Sequence, residues 1–478
     1  MEPDTHRAVR GTASLAAAQV LARAASLGFA LVATRVLAPA QLGRYAFITA
    51  VVFLGGAVAD FGTTALITRR TSHDPESASA NLAVGLPASA ALGLVAYIAV
   101  VGFVAVTSSQ ETLIDAAIGG FSLVPGSIVT TLFGTMDGVG LISRRAALTA
   151  VQQAGIPLAT SAVLLATPSA RDALAAFALV PVATLAITCV VVVRHGLWPT
   201  RFTTRGGARF LGDALPYALI AGVGVISLRF DYVLLEVIKG RSAVGLYEPA
   251  MKTSEAFFSI IGATAAPLLF LFTRRLASGD TPRAQASFDR ANRILPALAV
   301  VVCIPLAFGA SDIVRVAFGS DYGRTAAPLA ILLCQMPLAL LTSVGGSLVA
   351  ATGAPLAAVA NLLVSSAIRV AFAVPLIVRF GPTGAAVAVG IGQGLNLVAL
   401  SAFNRKRARL RTRLPFRAAA AAGVALLVGI AARNALTSIE VSALVLAVAV
   451  VMVAATHALT ASELRTLWHQ SRSDRQAD

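Results

Sequence analysis

Fourteen apolar runs, each near twenty residues, follow one another from Thr12 to about residue 459 with only short polar gaps between them. A helix needs roughly 20 mostly apolar residues to cross a hydrocarbon core. In lipid every backbone N–H and C=O must be satisfied within the segment, which leaves helices or closed barrels. Runs of this length predict an all-α polytopic membrane protein. Composition agrees: 57% of the 478 residues are hydrophobic and 13% are charged, about half the charged share of a soluble domain. The largest polar gap, Arg194 to Asp213, is too short for a separate water-exposed domain. A soluble enzyme and a disordered chain are therefore excluded.

The net charge of +16 would suggest nucleic acid in a soluble protein. Here the cations sit between spans, where they set orientation. With both termini cytoplasmic, the inner segments hold 25 Lys or Arg and the outer loops 9. This asymmetry fits an even number of spans. The run Arg405, Lys406, Arg407, Arg409, Arg411, Arg413 is the strongest inner anchor, with some affinity for anionic lipid. No nucleic-acid partner is expected. Cys189, Cys303 and Cys334 lie singly inside apolar segments and form no metal-ligand spacing. The first run contains Arg23 and is too long for a cleavable signal, so the first span is expected to insert and stay.

The chain repeats itself. Leu42-Gly43-Arg44-Tyr45 after the first span aligns with Val244-Gly245-Leu246-Tyr247 after the seventh, at an offset of 202 residues or six spans. Six is even, so the copies run the same way through the membrane and are related by an axis along its normal. This predicts two six-helix lobes, residues 1–200 and 201–410, with residues 411–478 adding two helices and a cytoplasmic tail.

Several charges fall at bilayer depth, where each costs about 2.5–3.5 kcal/mol on insertion scales. They are Arg23, Asp60, Arg229, Asp231, Lys252, Glu255 and Arg369. Arg229 and Asp231 are two apart on one helix and point in different directions, so each needs a partner elsewhere. Such charges either pair between helices to lock a bundle or line a wet interior. The cations Arg23, Arg229, Lys252 and Arg369 suit a phosphate-bearing anion, because guanidinium offers a planar donor fork. The acids Asp60, Asp231 and Glu255 are candidates for H⁺ or Na⁺ coupling. Arg35, Arg44 and Asp137 are interfacial and are expected to snorkel or cap. Gln393 and the other intramembrane amides are expected to bridge helices, with sugar contact as the alternative. GIGQG at Gly390–Gly394 lacks the Lys and the strand–helix context of a phosphate loop. No other cofactor is expected, and no catalytic Ser/His/Asp set is present.

At this point the motifs resemble a known family. RVLAPAQLGRYAF with GGAVADFGTTALITRR, RFDYVLLEVIKGRSAVGLYEPAMKTSEAF, and AFGSDYGRTAAPLAILL are similar in order and spacing to Wzx-type polysaccharide flippases of the MOP (multidrug, oligosaccharidyl-lipid, polysaccharide) transporter superfamily. The resemblance runs over at least residues 12–400. It implies two six-helix lobes, alternating access, and flipping of a polyprenyl-pyrophosphate-linked oligosaccharide across a bacterial plasma membrane, with H⁺ or Na⁺ coupling. By the same carry-over Arg23, Asp60, Arg229, Asp231, Lys252 and Glu255 would line a cavity, and polysaccharide-assembly enzymes are expected partners. Two cousins stay open: a lipid II flippase, disfavoured because Arg23 is followed by Ala24 rather than Asp, and a MATE-like drug exporter, whose cationic substrates excess Arg would repel. A polytopic polymerase is disfavoured by the short outer loops, and a transport-dead scaffold by the retained charges.

Overall fold

The computed structural model describes residues 21–277, 281–351, 355–407, 416–433 and 435–455. The first part of the expected first span, the basic residues Arg409 to Arg413 and the tail after Ala455 lie outside the described residues. The described chain is helical throughout, with no strand. Eight helical spans are long and apolar enough to cross a membrane, or nine counting a pair bent by 46° at Gln335, and two shorter apolar helices cover Ala418–Ala432 and Ser438–Ala454. Large apolar side chains such as Leu94, Ile98, Leu158 and Leu165 are exposed. Lipid-facing surface requires this, since lipid tails are as apolar as Leu.

The helices are α1 (21–36), α2 (Pro39–Asp60), α3 (Thr63–His73), α4 (Ala78–Thr107), α5 (Gln110–Gly120), α6 (Leu123–Gly138), α7 (Ile142–Ala166), α8 (Ala170–Arg194), α9 (Gly207–Lys239), α10 (Arg241–Ala277), α11 (Thr281–Phe308), α12 (Ala310–Ala317), α13 (Ala326–Cys334), α14 (Met336–Ala351), α15 (Pro355–Phe380), α16 (Pro382–Arg407), α17 (Phe416–Ala432) and α18 (Ser438–Ala455). Several expected spans are thus two helices joined at a break. The α2–α3 break is one: Phe61 and Gly62 both take left-handed backbone angles, φ 42° and 71°.

The helices form two compact units, one from Leu21 to Pro249 and one from Ala250 onward. In the first, α4 and α6 pack through Leu82, Leu86, Val129, Leu132, Phe133 and Met136. Helix α9 packs on α2, α3 and α4 and so belongs to this unit. Its foot is held by Arg70–Asp213 at 2.5 Å and by Arg69 donating to the Tyr217 hydroxyl at 2.9 Å. In the second unit, α17 and α18 pack against α11 through Ala297, Val300, Ile304, Ala421, Ala425, Val441 and Val445. Helices α15 and α16 form a close hairpin there, reversing at Gly381 (φ 58°).

Candidate functional site

Helix α9 ends at Gly240, whose φ of 77° is open to glycine without penalty. Helix α10 starts at the next residue, so the last turns of α9 face the first turns of α10. That reversal sets residues sixteen apart against each other. The Tyr247 hydroxyl donates to Asp231 Oδ2 at 2.9 Å, and the Tyr232 hydroxyl donates to Glu248 Oε2 at 2.5 Å. The two rings meet edge to face, with centroids 5.5 Å apart and planes at 65°. Asp231 is 1% exposed and Glu248 3%, and both tyrosines are fully buried. A buried carboxylate without a donor is costly, and each hydroxyl relieves that cost for one acid.

Arg229 extends this cluster. Its guanidinium lies 5.2 Å from the Tyr232 ring centroid and 5.6 Å from that of Phe53 on α2. Such cation–π contacts hold a cation in apolar surroundings.

The repeat makes the cluster more informative. At the offset of 202 residues, Asp231 and Tyr247 correspond to Phe29 and Tyr45, which also touch, with ring centroids 5.0 Å apart. Tyr232 and Glu248 correspond to Ala30 and Ala46, both buried. The first copy is therefore apolar at positions where the second carries two acids and a tyrosine.

A second charged cluster lies at the start of α2, and sequence reasoning missed its centre. Asp115 on α5 is fully buried between Arg44 Nε at 2.9 Å and Arg171 Nε at 2.7 Å. Arg44 also pairs with Glu111, one turn before Asp115. The expectation for Arg44 is that it snorkels or caps; instead it is buried, because the acid that pairs with it sits on a neighbouring helix rather than in water. The available signal was an acid pair at i, i+4 opening an apolar run on the Arg44 side of the chain. Nearby, Arg241 pairs with Glu236 at 3.5 Å and donates to the Ser109 hydroxyl at 2.7 Å.

The remaining expected residues lie on α1, α2, α10 and α15. Asp60 ends α2, and its carboxylate accepts from the Gly62 N–H at 3.2 Å and from the Thr64 hydroxyl, bracing the break between α2 and α3. Arg23 is half-buried on α1. Lys252 and Glu255 on α10 and Arg369 on α15 belong to the second unit, each half-buried. The Arg369 stem lies along Gly392 of α16, close enough that a Cβ there would meet it at 2.9 Å. The Thr342 hydroxyl donates to Gln393 at 2.7 Å, joining α14 to α16 as an interhelical bridge. Among the described residues no three His, Cys, Asp or Glu side chains group closely enough to hold a metal ion.

Residues 8–270 match the family described as polysaccharide biosynthesis protein. No curated protein matches the sequence. Among solved structures, the fold is similar to lipid II flippase MurJ in an inward closed conformation, with a TM-score of 0.73 at 13% identity over 92% of this chain and 97% of that one. It is also similar to an inward-facing multidrug resistance MATE family transporter of the MOP superfamily (TM-score 0.62, 16% identity, 81% and 94% covered). A MOP superfamily transporter from Pyrococcus furiosus, with a binding pocket described as of reversed polarity, follows at TM-score 0.54 and 16% identity, covering 83% and 95%. The matched family spans more than half the sequence and the helical fold extends over nearly all of it, so the chain belongs to the polysaccharide biosynthesis protein family and has the fold of the MOP-superfamily transporters.

Proposed function

We propose that this protein flips a polyprenyl-diphosphate-linked saccharide from the inner to the outer leaflet of a bacterial plasma membrane, by alternating access and with both termini cytoplasmic. The observation that carries this reading is the family match over residues 8–270 to proteins of polysaccharide biosynthesis. The repeat sets the lobes at residues 1–200 and 201–410, with 411–478 as an addition, while by contact α9 groups with the helices before it. In this reading Arg23, Arg229, Lys252 and Arg369 are the cations that meet the diphosphate. Arg229 lies against two aromatic faces, Phe53 and Tyr232, which hold its charge among the helices. Asp231 and Glu255 are the coupling acids for H⁺ or Na⁺. Asp231 is favoured over Asp60, whose carboxylate already braces a turn. Asp231 is also a departure from its apolar counterpart Phe29, and a buried acid needs some return for its cost.

A second reading, a lipid II flippase, draws on the fold likeness to MurJ; Ala24 beside Arg23 speaks against it. Deletion of the gene followed by analysis of lipid-linked saccharides separates the two. Accumulation of a complete saccharide repeat unit on its lipid supports the proposal. Accumulation of peptidoglycan precursor supports the second reading, and an incomplete unit refutes transport. Complementation by Arg229→Ala and Lys252→Ala at matched expression then tests the cations, and normal export by both would remove them from the site.

A further inference from the structure

The segment between α8 and α9, residues 195–206, joins the first copy of the repeat to the second. It is not a free linker, because it is bonded to α4. The Ser79 hydroxyl donates to the Trp198 carbonyl at 3.4 Å, and the Thr203 N–H donates to the Ala83 carbonyl at 3.0 Å. Ser79 and Ala83 are one turn apart, so the segment runs along the first turns of α4. Leu197 and Trp198 pack on the apolar core that α4 and α6 share. Trp198 then meets Phe202 edge to face, with ring centroids 6.1 Å apart and planes at 85°. Phe202 itself is 54% exposed.

The surroundings of this exposed ring are cationic. Arg194, Arg201, Arg205 and Arg209 are all exposed. Among the described residues none of these four pairs with a carboxylate. No acid stands between Asp172 and Asp213 in the chain. At this end of the helices Asp213 is taken by Arg70 and Asp137 faces Arg145, which leaves Asp74 and Glu76 on the turn before α4. Arg144 of α7 lies against the His195 ring and carries the basic surface onto a second helix. Ile142 and Val193, each two residues from that contact, are exposed as well, so lipid-facing apolar surface runs up to the segment.

Aromatic rings favour the headgroup level of a bilayer. Long basic stems reach from there to the phosphates, and the guanidinium fork fits phosphate oxygens. A soluble acidic partner would answer the charge but not the apolar surface that continues into lipid. We propose that residues 194–209 are a docking site for anionic phospholipid, with Phe202 among the upper acyl carbons and the arginines on the phosphate-bearing headgroup. Cytoplasmic termini assign it to the inner leaflet. The binding itself does not depend on transport, so its failure and the failure of the flippase reading are separate results.

Trp468→Phe leaves Trp198 as the one tryptophan in the chain. This full-length variant is reconstituted in mixtures of phosphatidylcholine and phosphatidylglycerol, with bromine on the acyl chains of one lipid or the other. Bromine quenches tryptophan on contact, so the two curves give the relative binding of each lipid beside Trp198. Phosphatidylglycerol should be preferred by about fivefold or more, the effect of one well-placed arginine. The preference should shrink in high salt, which screens exposed charges. Arg201→Gln with Arg205→Gln should bring the ratio close to parity. Replacing Arg405, Lys406 and Arg407 by Gln, on the separate basic run, should leave it unchanged. Equal quenching by the two lipids would overturn the inference and leave the arginines to a soluble acidic partner. A preference that survives loss of Arg201 and Arg205, or that disappears with the 405–407 run, would also overturn it. Absence of quenching by either lipid would place the segment away from the bilayer, with the same consequence.

Discussion

Replacing Tyr247 by Phe removes one oxygen from the centre of the candidate site and leaves the ring. Asp231, at 1% exposure, then loses a donor that water cannot replace. A hydrogen bond to a charged group contributes about 1.5–3 kcal/mol. The edge-to-face contact with Tyr232 does not depend on the hydroxyl, so its contribution is retained. The expected destabilisation is therefore about 1.5–3 kcal/mol. Reversible unfolding in mixed detergent micelles, followed by circular dichroism, would measure it. The decisive control is Asp231→Ala, alone and combined with Tyr247→Phe. Bonded partners should show a coupling energy of about 1–2 kcal/mol, whereas independent sites add within about 0.5. Additive losses would mean that hydroxyl and carboxylate do not act on each other, and the cluster as described would be wrong.

Two further predictions follow from the other charged residues. Asp115→Ala strands buried Arg44 and should cost about 3 kcal/mol, the lower end for a broken buried pair because Glu111 remains beside it; Arg171→Ala should cost much less, and equal losses in the same unfolding assay would refute the difference drawn from burial. Asp60→Asn keeps an acceptor oxygen for the Gly62 N–H, so if export is ion-coupled as proposed, its gradient dependence should persist in this variant; loss of that dependence with normal folding would return Asp60 to the coupling acids.

The helical, membrane-spanning class was legible in the sequence because hydropathy over twenty residues is a local property, and so was the register of the repeat. The breaks within spans were less so: Asp60-Phe61-Gly62 reads as one weakly polar interruption, and only the backbone angles reveal a left-handed step. Arg229 and Asp231 stood out because charge in an apolar run is expensive wherever it goes. Their partners did not, since Tyr232 and Phe53 are unremarkable in any one helix and Tyr247 marked only the repeat. Asp115 was overlooked for the same reason, its value lying in Arg44 and Arg171 on other helices.

The amino-acid order by itself thus determined how the chain meets lipid, where it doubles, and which residues bear an unusual energetic burden. Only the tertiary structure decided that the segment joining the doubled halves is bonded along α4, that α9 packs with the helices before it, and that tyrosine hydroxyls serve the buried acids. Solvation acts on each segment separately and can be read along the chain. Contact between segments depends on angles at corners such as Gly240, and no single stretch of sequence encodes where a distant helix will arrive.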